Sequence, residues 1–235
     1  MTLKLTYRTL FIYYNWEVHI FIIFLKMSEK KEDKSIPIKI ILLGETGTGK
    51  TSLINNYFGK KFSENEESTL SSEVSSKLLE IDQVKYSINI WDTCGQERYH
   101  SVTKLFIKES KIVIFVYNIT KINSFELLDY WVKTTEEILN YDDEAIYGVI
   151  GNKADLFENQ EVEKSQGENF AKKIGAIFIE TSAKEDKLGF KQFVNKLIEK
   201  SIGKKCVDKI SDNEVEKEKK KLTSKTKDIK KKKYC

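Results

Sequence analysis

Residues 38–58 read IKIILLGETGTGKTSLINNYF, and they carry the strongest structural signal in the chain. Its first six residues are almost all apolar, which is typical of a strand buried on both faces of a sheet. Residues 44–51 then match the glycine-rich pattern GxxxxGK[ST], and residues 52–58 have helical character. Because this pattern binds phosphate when it lies between a strand and a helix, the stretch predicts a phosphate site in an α/β domain.

The residue types in this loop suit a polyphosphate. Glycines allow backbone N–H groups to curl around a phosphate, and the N-terminus of the following helix adds positive potential. We expect the Lys50 ammonium to reach the β- and γ-phosphates of a nucleoside triphosphate. The hydroxyl of the next residue, Thr51, is expected to ligate Mg²⁺.

Apolar segments that alternate with helical patterns continue along the chain. Strands are predicted at residues 74–81, 84–91, 112–117, 145–150 and 177–179. Helical spacing is found within residues 123–140, 162–174 and 190–198. The first two of these strands flank Asp82 and Gln83 and predict an antiparallel hairpin. The alternation elsewhere predicts a mainly parallel sheet with right-handed crossovers.

A polar loop follows the strand at residues 84–91. Its carboxylate, Asp92, is expected to share the edge of the sheet with the phosphate loop, because ligands bind at the carboxyl ends of such strands. Asp92 is therefore predicted to hold Mg²⁺ through a water, and the Gly95 N–H to meet a γ-phosphate. Between them, Cys94 is interpreted as a small side chain in a tight loop, with a redox role as the less favoured alternative.

Composition excludes several classes of protein. With 235 residues, 40% of them hydrophobic, the chain is long enough for one domain with appendages and too apolar to be wholly disordered. Three scattered cysteines exclude a disulfide framework and a zinc site. The net charge of +4 combines basic ends, +2 over residues 1–26 and +7 over residues 203–235, with an acidic body. An acidic body argues against nucleic-acid binding.

In their order along the chain, these motifs resemble those of the Ras superfamily of small GTPases, most closely the Rab family. The resemblance covers about residues 36–202. It rests on residues 44–51, Thr69, residues 91–97 (WDTCGQE), residues 98–103 (RYHSVT), residues 152–155 (NKAD) and residues 181–184 (TSAK). It implies a P-loop NTPase fold of three layers, with a six-stranded, mainly parallel sheet that has one antiparallel strand and helices on both faces.

The resemblance also implies guanine recognition by the later motifs. Asp155 would accept hydrogen bonds from the N1–H and the 2-amino group of the base, a pair of donors that adenine lacks. Asn152 would contact the base edge and brace the phosphate loop, and the Lys153 stem would lie on the ring. The Ala183 N–H would point at O6 of the base, and Phe62 would close over it.

A GTP/GDP switch with slow intrinsic hydrolysis is the activity that the resemblance implies. Catalytic roles fall to Gln96, which would orient the attacking water, and to Lys50 and Thr69. Magnesium ligands would be Thr51, Thr69 and Asp92. The nucleotide-binding set would be Gly44, Thr46, Gly47, Thr48, Gly49, Lys50, Thr51, Ser52, Phe62, Thr69, Gly95, Asn152, Lys153, Asp155, Ser182, Ala183 and Lys184.

Partners are implied in the same way. An exchange factor, an activating protein and effectors would bind residues 60–74 and 92–105 of a monomer, and the chain would regulate vesicle trafficking. One segment departs from the family, because residues 70–74 read LSSEV where Rabs commonly read IGVDF. This departure keeps open a nucleotide-bound scaffold that does not cycle. A P-loop ATPase or nucleotide kinase is disfavoured by residues 152–155.

The remaining segments are predicted from composition and charge. Residues 1–26 are predicted to be an N-terminal leader that is either dispensable or not translated, with translation then beginning at Met27. The alternative is that these residues anchor the chain at a membrane surface. Residues 27–36 form a flexible N-terminus, 37–202 the GTPase domain and 203–235 a disordered basic tail. The terminal Cys235 does not form a C-a-a-X box and is a candidate for geranylgeranylation. With the lysines at 230–233, it predicts attachment to the cytoplasmic face of an endomembrane, in exchange with the cytosol.

Overall fold

The computed structural model describes residues 35–64, 69, 72–93, 100–139 and 145–203. The chain divides into a unit Met1–Ser35 and a unit Ile36–Cys235, and every element below belongs to the second. The predictions for the leader at 1–26, for most of the segment 27–36 and for the tail from residue 204 lie outside the described residues. They stay predictions.

Six strands form one sheet in the order β2-β3-β1-β4-β5-β6. All neighbouring pairs are parallel except β2 and β3, which are antiparallel. This arrangement confirms the predicted fold class. The strands are β1 (Ile36–Leu43), β2 (Glu73–Ile81), β3 (Val84–Asp92), β4 (Ile112–Asn118), β5 (Ile146–Asn152) and β6 (Ile177–Glu180).

Helices cover both faces of this sheet. They are α1 (Lys50–Tyr57), α2 (His100–Ile107), α3 (Ile122–Glu126), α4 (Leu128–Ile138), α5 (Lys164–Lys173) and α6 (Gly189–Ile202), with a 3₁₀ helix at Ala154–Asn159. In the described part of the chain, none of them is long and apolar enough to cross a membrane.

The sheet separates two hydrophobic cores. Along β1, Ile40 and Leu42 pack into one core with α1 and α6, whereas Ile41 and Leu43 pack into the other with α4 and α5. All four side chains are fully buried. A strand with both faces covered is apolar at nearly every position, so the nearly continuous apolar run at 38–43 reflects its place in the middle of the sheet.

The predicted hairpin is present. Residues Glu73 to Ile81 pair with β3 in register, and Asp82 and Gln83 connect the two strands with φ of 49° and 65°. Two consecutive left-handed residues give the two-residue turn whose twist matches that of antiparallel strands. Asp tolerates this conformation better than most residues, which agrees with its place in the turn.

Two features differ from the sequence prediction. The single helix predicted at 123–140 is two helices that meet at Leu127, whose backbone is still right-handed, with φ of −67° and ψ of −12°. The second of them ends at Ile138, since Leu139 is extended with a ψ of 121°. Helix α2 was not predicted, because its eight residues offer too short a window for a clear helical period.

Candidate functional site

A cleft of about 350 Å³ lies at the edge of the sheet where the parallel strands end. Its lining comes from the loop after β1, the start of α1, the segment after α1 and the loops after β3, β5 and β6. The predicted site residues that line it are Thr46, Gly47, Gly49, Lys50, Thr51, Ser52, Phe62, Thr69, Asn152, Lys153, Asp155, Ala183 and Lys184. Segments far apart in sequence therefore meet in one cleft.

Lys50 provides a buried positive charge at one end of the cleft. Only 5% of the residue is exposed, and its Nζ donates hydrogen bonds to the carbonyl oxygens of Gly44 at 2.9 Å and Glu45 at 3.0 Å. The two carbonyls hold the ammonium inside the loop. Gly49, directly before it, is left-handed with φ of 90°, and a Cβ there would lie 2.4 Å from Asn152 Nδ2. Glycine is therefore required at this position by both conformation and space.

Three oxygen-bearing side chains cluster beside Lys50. The Thr51 hydroxyl donates to Asp92 Oδ2 at 2.6 Å, and it lies 2.8 Å from the Thr69 hydroxyl. Asp92 is buried, with 6% of its surface exposed. Mg²⁺ prefers oxygen ligands and is usually held by one or two carboxylates together with substrate phosphates. This donor set of two hydroxyls and one carboxylate fits Mg²⁺.

Asn152 connects the two ends of the cleft. It is 1% exposed, and its Nδ2 donates to the Thr48 carbonyl of the phosphate loop at 2.8 Å. Its Oδ1 accepts a hydrogen bond from the Ala183 N–H at 3.2 Å. One buried amide thus fixes the phosphate loop against the loop after β6, as the resemblance implies for its bracing role. The Ala183 N–H, expected to point at the base, donates to this amide in the structure.

Asp155 and Lys153 lie at the other end of the cleft. Asp155 Oδ1 accepts a hydrogen bond from the Ser182 hydroxyl at 2.5 Å, which fixes the orientation of the carboxylate. Lys153 has a left-handed backbone with φ of 68°. Burial lowers the pKa of its ammonium, and repulsion from Lys121 adds to that effect against the attraction of Asp155. This end of the cleft therefore pairs an oriented carboxylate with a half-buried cation.

Four other predicted residues do not line the cleft themselves. They are Gly44, Thr48, Asp92 and Ser182, and they form hydrogen bonds with neighbouring residues of the site. Thr48, for example, is 1% exposed, and its hydroxyl donates to the Glu45 carbonyl at 2.9 Å. Gly95, Gln96 and Cys94 lie outside the described residues, so their predicted roles stay predictions.

The sequence did not indicate four of the lining residues: Ser63, Glu64, Thr93 and Leu156. Thr93 is 2% exposed and its hydroxyl donates to the Leu42 carbonyl at 2.6 Å, so it fixes the end of β3 to β1. Glu64 forms an ion pair with Lys184, with 2.7 Å between Oε1 and Nζ. The sequence around Glu64 does not indicate this partner, because the two residues are brought together only by the fold.

Comparisons with known proteins agree with this geometry. A model of the Ras family matches residues 39–228. The chain is 41% identical over 147 residues to the Ras-related protein Rab-11B of Dictyostelium discoideum, covering 62% of this chain and 65% of that protein. It is 36% identical over 154 residues to human Rab-21, covering 66% and 68%, and 35% identical over 172 residues to mouse Rab-12, covering 73% and 70%.

The chain thus spans about two thirds of the length of these Rab relatives. The family match covers the strands, helices and loops that build the cleft, and the relatives share the predicted subgroup. The chain belongs to the Ras family and, within it, to the Rab group of small GTPases.

Proposed function

We propose that the chain is a switch that binds GTP and GDP in this cleft, hydrolyses GTP to GDP and phosphate, and regulates membrane trafficking. The observation that carries the proposal is that one cleft has a buried ammonium and an oxygen cluster at one end and an oriented carboxylate at the other. A guanine nucleotide has complementary groups at its two ends.

The phosphate end would act mainly through charge. Lys50 would bind the β- and γ-phosphates, and the backbone N–H groups of the loop and the N-terminus of α1 add positive potential. Thr51, Thr69 and Asp92 would hold Mg²⁺, which when bound would neutralise phosphate charge. These groups are preorganised, since the Thr51 hydroxyl already lies 2.8 Å from the Thr69 hydroxyl and 2.6 Å from Asp92 Oδ2.

The base end would select guanine. Asp155 would accept hydrogen bonds from the N1–H and the 2-amino group, and the Ser182 hydroxyl would keep the carboxylate aimed at them. Adenine offers no such donors, so the half-buried carboxylate would receive no hydrogen bond from the base, which costs about 1–3 kcal/mol or more for a charged group. A site built on such a hydrogen bond rejects the analogue that lacks it.

Hydrolysis is expected to be slow without a partner. Gln96 would orient a water whose oxygen attacks the γ-phosphorus while the bond to the β–γ bridging oxygen breaks, which releases GDP and phosphate. The chain has two arginines, Arg8 and Arg98, and neither is placed by the resemblance as a catalytic arginine. We therefore expect an activating protein that supplies an arginine to raise the rate about 10³-fold or more.

A single-turnover assay on the full chain tests this expectation. GTP should turn over slowly alone and much faster with an activating protein that carries an arginine finger, and Gln96→Leu should remove the stimulation while GTP still binds. The Cys94→Ala variant is the control, because it changes the same loop without removing a catalytic group. Fast unaided hydrolysis that no activating protein alters would contradict the proposal.

The scaffold that does not cycle is not favoured, because the relatives are Rab GTPases. Cycling would reorganise residues 60–74 and 92–105, where exchange factor, activating protein and effectors would bind. Loss of the γ-phosphate would release the contacts that Thr69 and Gly95 make with it. An effector that prefers the GTP-bound chain over the GDP-bound chain would support cycling, and equal binding would support a scaffold.

The basic tail would bring the chain to the cytoplasmic face of an endomembrane. One lipid on Cys235 would give weak and reversible anchoring, and each lysine at residues 230–233 would add roughly 1 kcal/mol near an anionic surface. We expect Cys235→Ser to move the chain from the membrane fraction to the cytosol, and Cys206→Ser to leave it in place. Mass spectrometry of the C-terminal peptide checks the modification. Unmodified Cys235 in the membrane fraction would contradict this part of the proposal.

A further inference from the structure

An ion pair joins two walls of the cleft. Lys184 Nζ, on the loop after β6, lies 2.7 Å from Glu64 Oε1, on the segment that follows α1. The two residues are 120 positions apart in sequence, and both line the cleft. The contact therefore connects the base end of the cleft to the segment that leads towards Thr69.

Glu64 belongs to the same short segment as Phe62, which also lines the cleft and is 41% exposed. The Lys60 N–H donates to the Asn55 carbonyl at 2.8 Å and fixes the start of the segment to the end of α1. For residues 61–64, the hydrogen bond that the described part of the chain provides is the one to Lys184. Among the residues that the structure describes, the ion pair is thus the polar contact that holds Phe62 and Glu64 near the base end.

Both members of the pair are charged at neutral pH. The hydrogen bond from Lys184 and its positive charge lower the pKa of Glu64. The same hydrogen bond and the negative charge of Glu64 raise the pKa of Lys184, and the nearby carboxylates of Asp155 and Glu185 act in the same direction. Because the side chains are 73% and 47% exposed, salt screens their attraction, and the effect of the pair is modest and depends on ionic strength.

We propose that Glu64 is a positioning residue for nucleotide retention: through its ion pair with Lys184 it holds the segment 61–64, with Phe62, against the base end of the cleft. The proposal rests on the proposed function, because the retained ligand is a guanine nucleotide. Dissociation would require the segment to move away, so the pair slows release. Exposed ion pairs have small coupling energies, and we expect a two- to fivefold effect on the dissociation rate.

Release of GDP that carries a methylanthraniloyl fluorophore measures this effect on the full chain. We expect Glu64→Gln to release the nucleotide about two- to fivefold faster at low salt, with little change in association rate. High salt should accelerate release from the wild type and leave the variant nearly unchanged, so that the two rates converge. A merely structural role of Glu64 would not produce this convergence.

Two further variants complete the test. The double variant Glu64→Lys with Lys184→Glu reverses the pair, and it should release the nucleotide more slowly than either single variant. Asp129→Asn is the matched control, because it breaks another exposed pair, Lys173–Asp129 at 3.2 Å, which lies outside the cleft. It should leave the release rate unchanged. Thermal unfolding of each variant verifies that the domain is folded.

The outcomes separate this proposal from the proposed function. If the wild type binds the fluorescent GDP and Glu64→Gln releases it at the wild-type rate at low salt, the positioning role is wrong and the proposed function stands. A variant that releases faster but keeps the salt dependence of the wild type also overturns the positioning role. A folded wild type that binds no guanine nucleotide contradicts both proposals.

Discussion

Replacing Lys50 with methionine is expected to lower the affinity for GDP and GTP by a factor of about 100 to 1000 in a chain that still folds. The ammonium is 5% exposed and is held by the carbonyls of Gly44 and Glu45 in the phosphate loop. Its removal would leave buried phosphate charge without its partner. Breaking such a desolvated charge pair costs about 3–5 kcal/mol, and the expected loss of 100- to 1000-fold, roughly 3–4 kcal/mol, lies in the lower half of that range.

Titration calorimetry of the Lys50→Met chain measures the loss. Lys39→Met is the matched control, because Lys39 also donates to a carbonyl, that of Lys108 at 2.8 Å, and is half-buried over the ring of Trp91. It lies outside the cleft and should leave the affinity unchanged. An affinity of Lys50→Met within threefold of the wild type, in a folded chain, would contradict the assignment of Lys50 to the phosphates.

Replacing Asp155 with asparagine is expected to change the base that the chain prefers. The carboxylate would accept two hydrogen bonds from guanine, and the asparagine amide would place its NH₂ donors against the donors of the base. We expect the affinity for GDP to fall by about 100-fold or more. Xanthine carries a carbonyl where guanine has the 2-amino group, so an amide donor complements it, and xanthosine diphosphate should bind the variant better than it binds the wild type.

The expected gain of xanthine binding distinguishes the loss of the guanine contact from misfolding of the Asp155→Asn variant. A misfolded variant would lose GDP and gain nothing, whereas a folded variant with the proposed contact exchanges one ligand for the other. Competition between the two diphosphates, on wild type and variant, checks both halves of the prediction. Equal loss of both ligands in a folded variant would show that Asp155 does not read the position of the 2-amino group.

The parts of the fold that local patterns specify could be predicted from the sequence. The apolar run at 38–43 indicated a central strand because both of its faces are covered, and the structure places it in the middle of the sheet. The pair Asp82-Gln83 between two alternating segments indicated the hairpin. Thr51 and Asp92 were expected at one edge because each follows a parallel strand, and they share a hydrogen bond of 2.6 Å.

Contacts between distant segments could not be predicted in the same way. The Asn56 amide donates to the carbonyls of Ala183 and Asp186 at 3.2 Å each, and Glu64 pairs with Lys184. These partners are more than 100 residues apart, and their approach depends on how the loops after α1 and β6 meet in space.

Competition against a fluorescent GDP bound to the full chain tests whether this cleft holds a guanine nucleotide. Unlabelled GDP and GTP should displace the probe at comparable concentrations, and ATP and ADP should leave it bound even at a large excess. Asp155→Asn should lose the probe and bind a xanthine analogue in its place. Displacement of the probe by ATP as readily as by GTP would contradict the proposed guanine selectivity of the cleft.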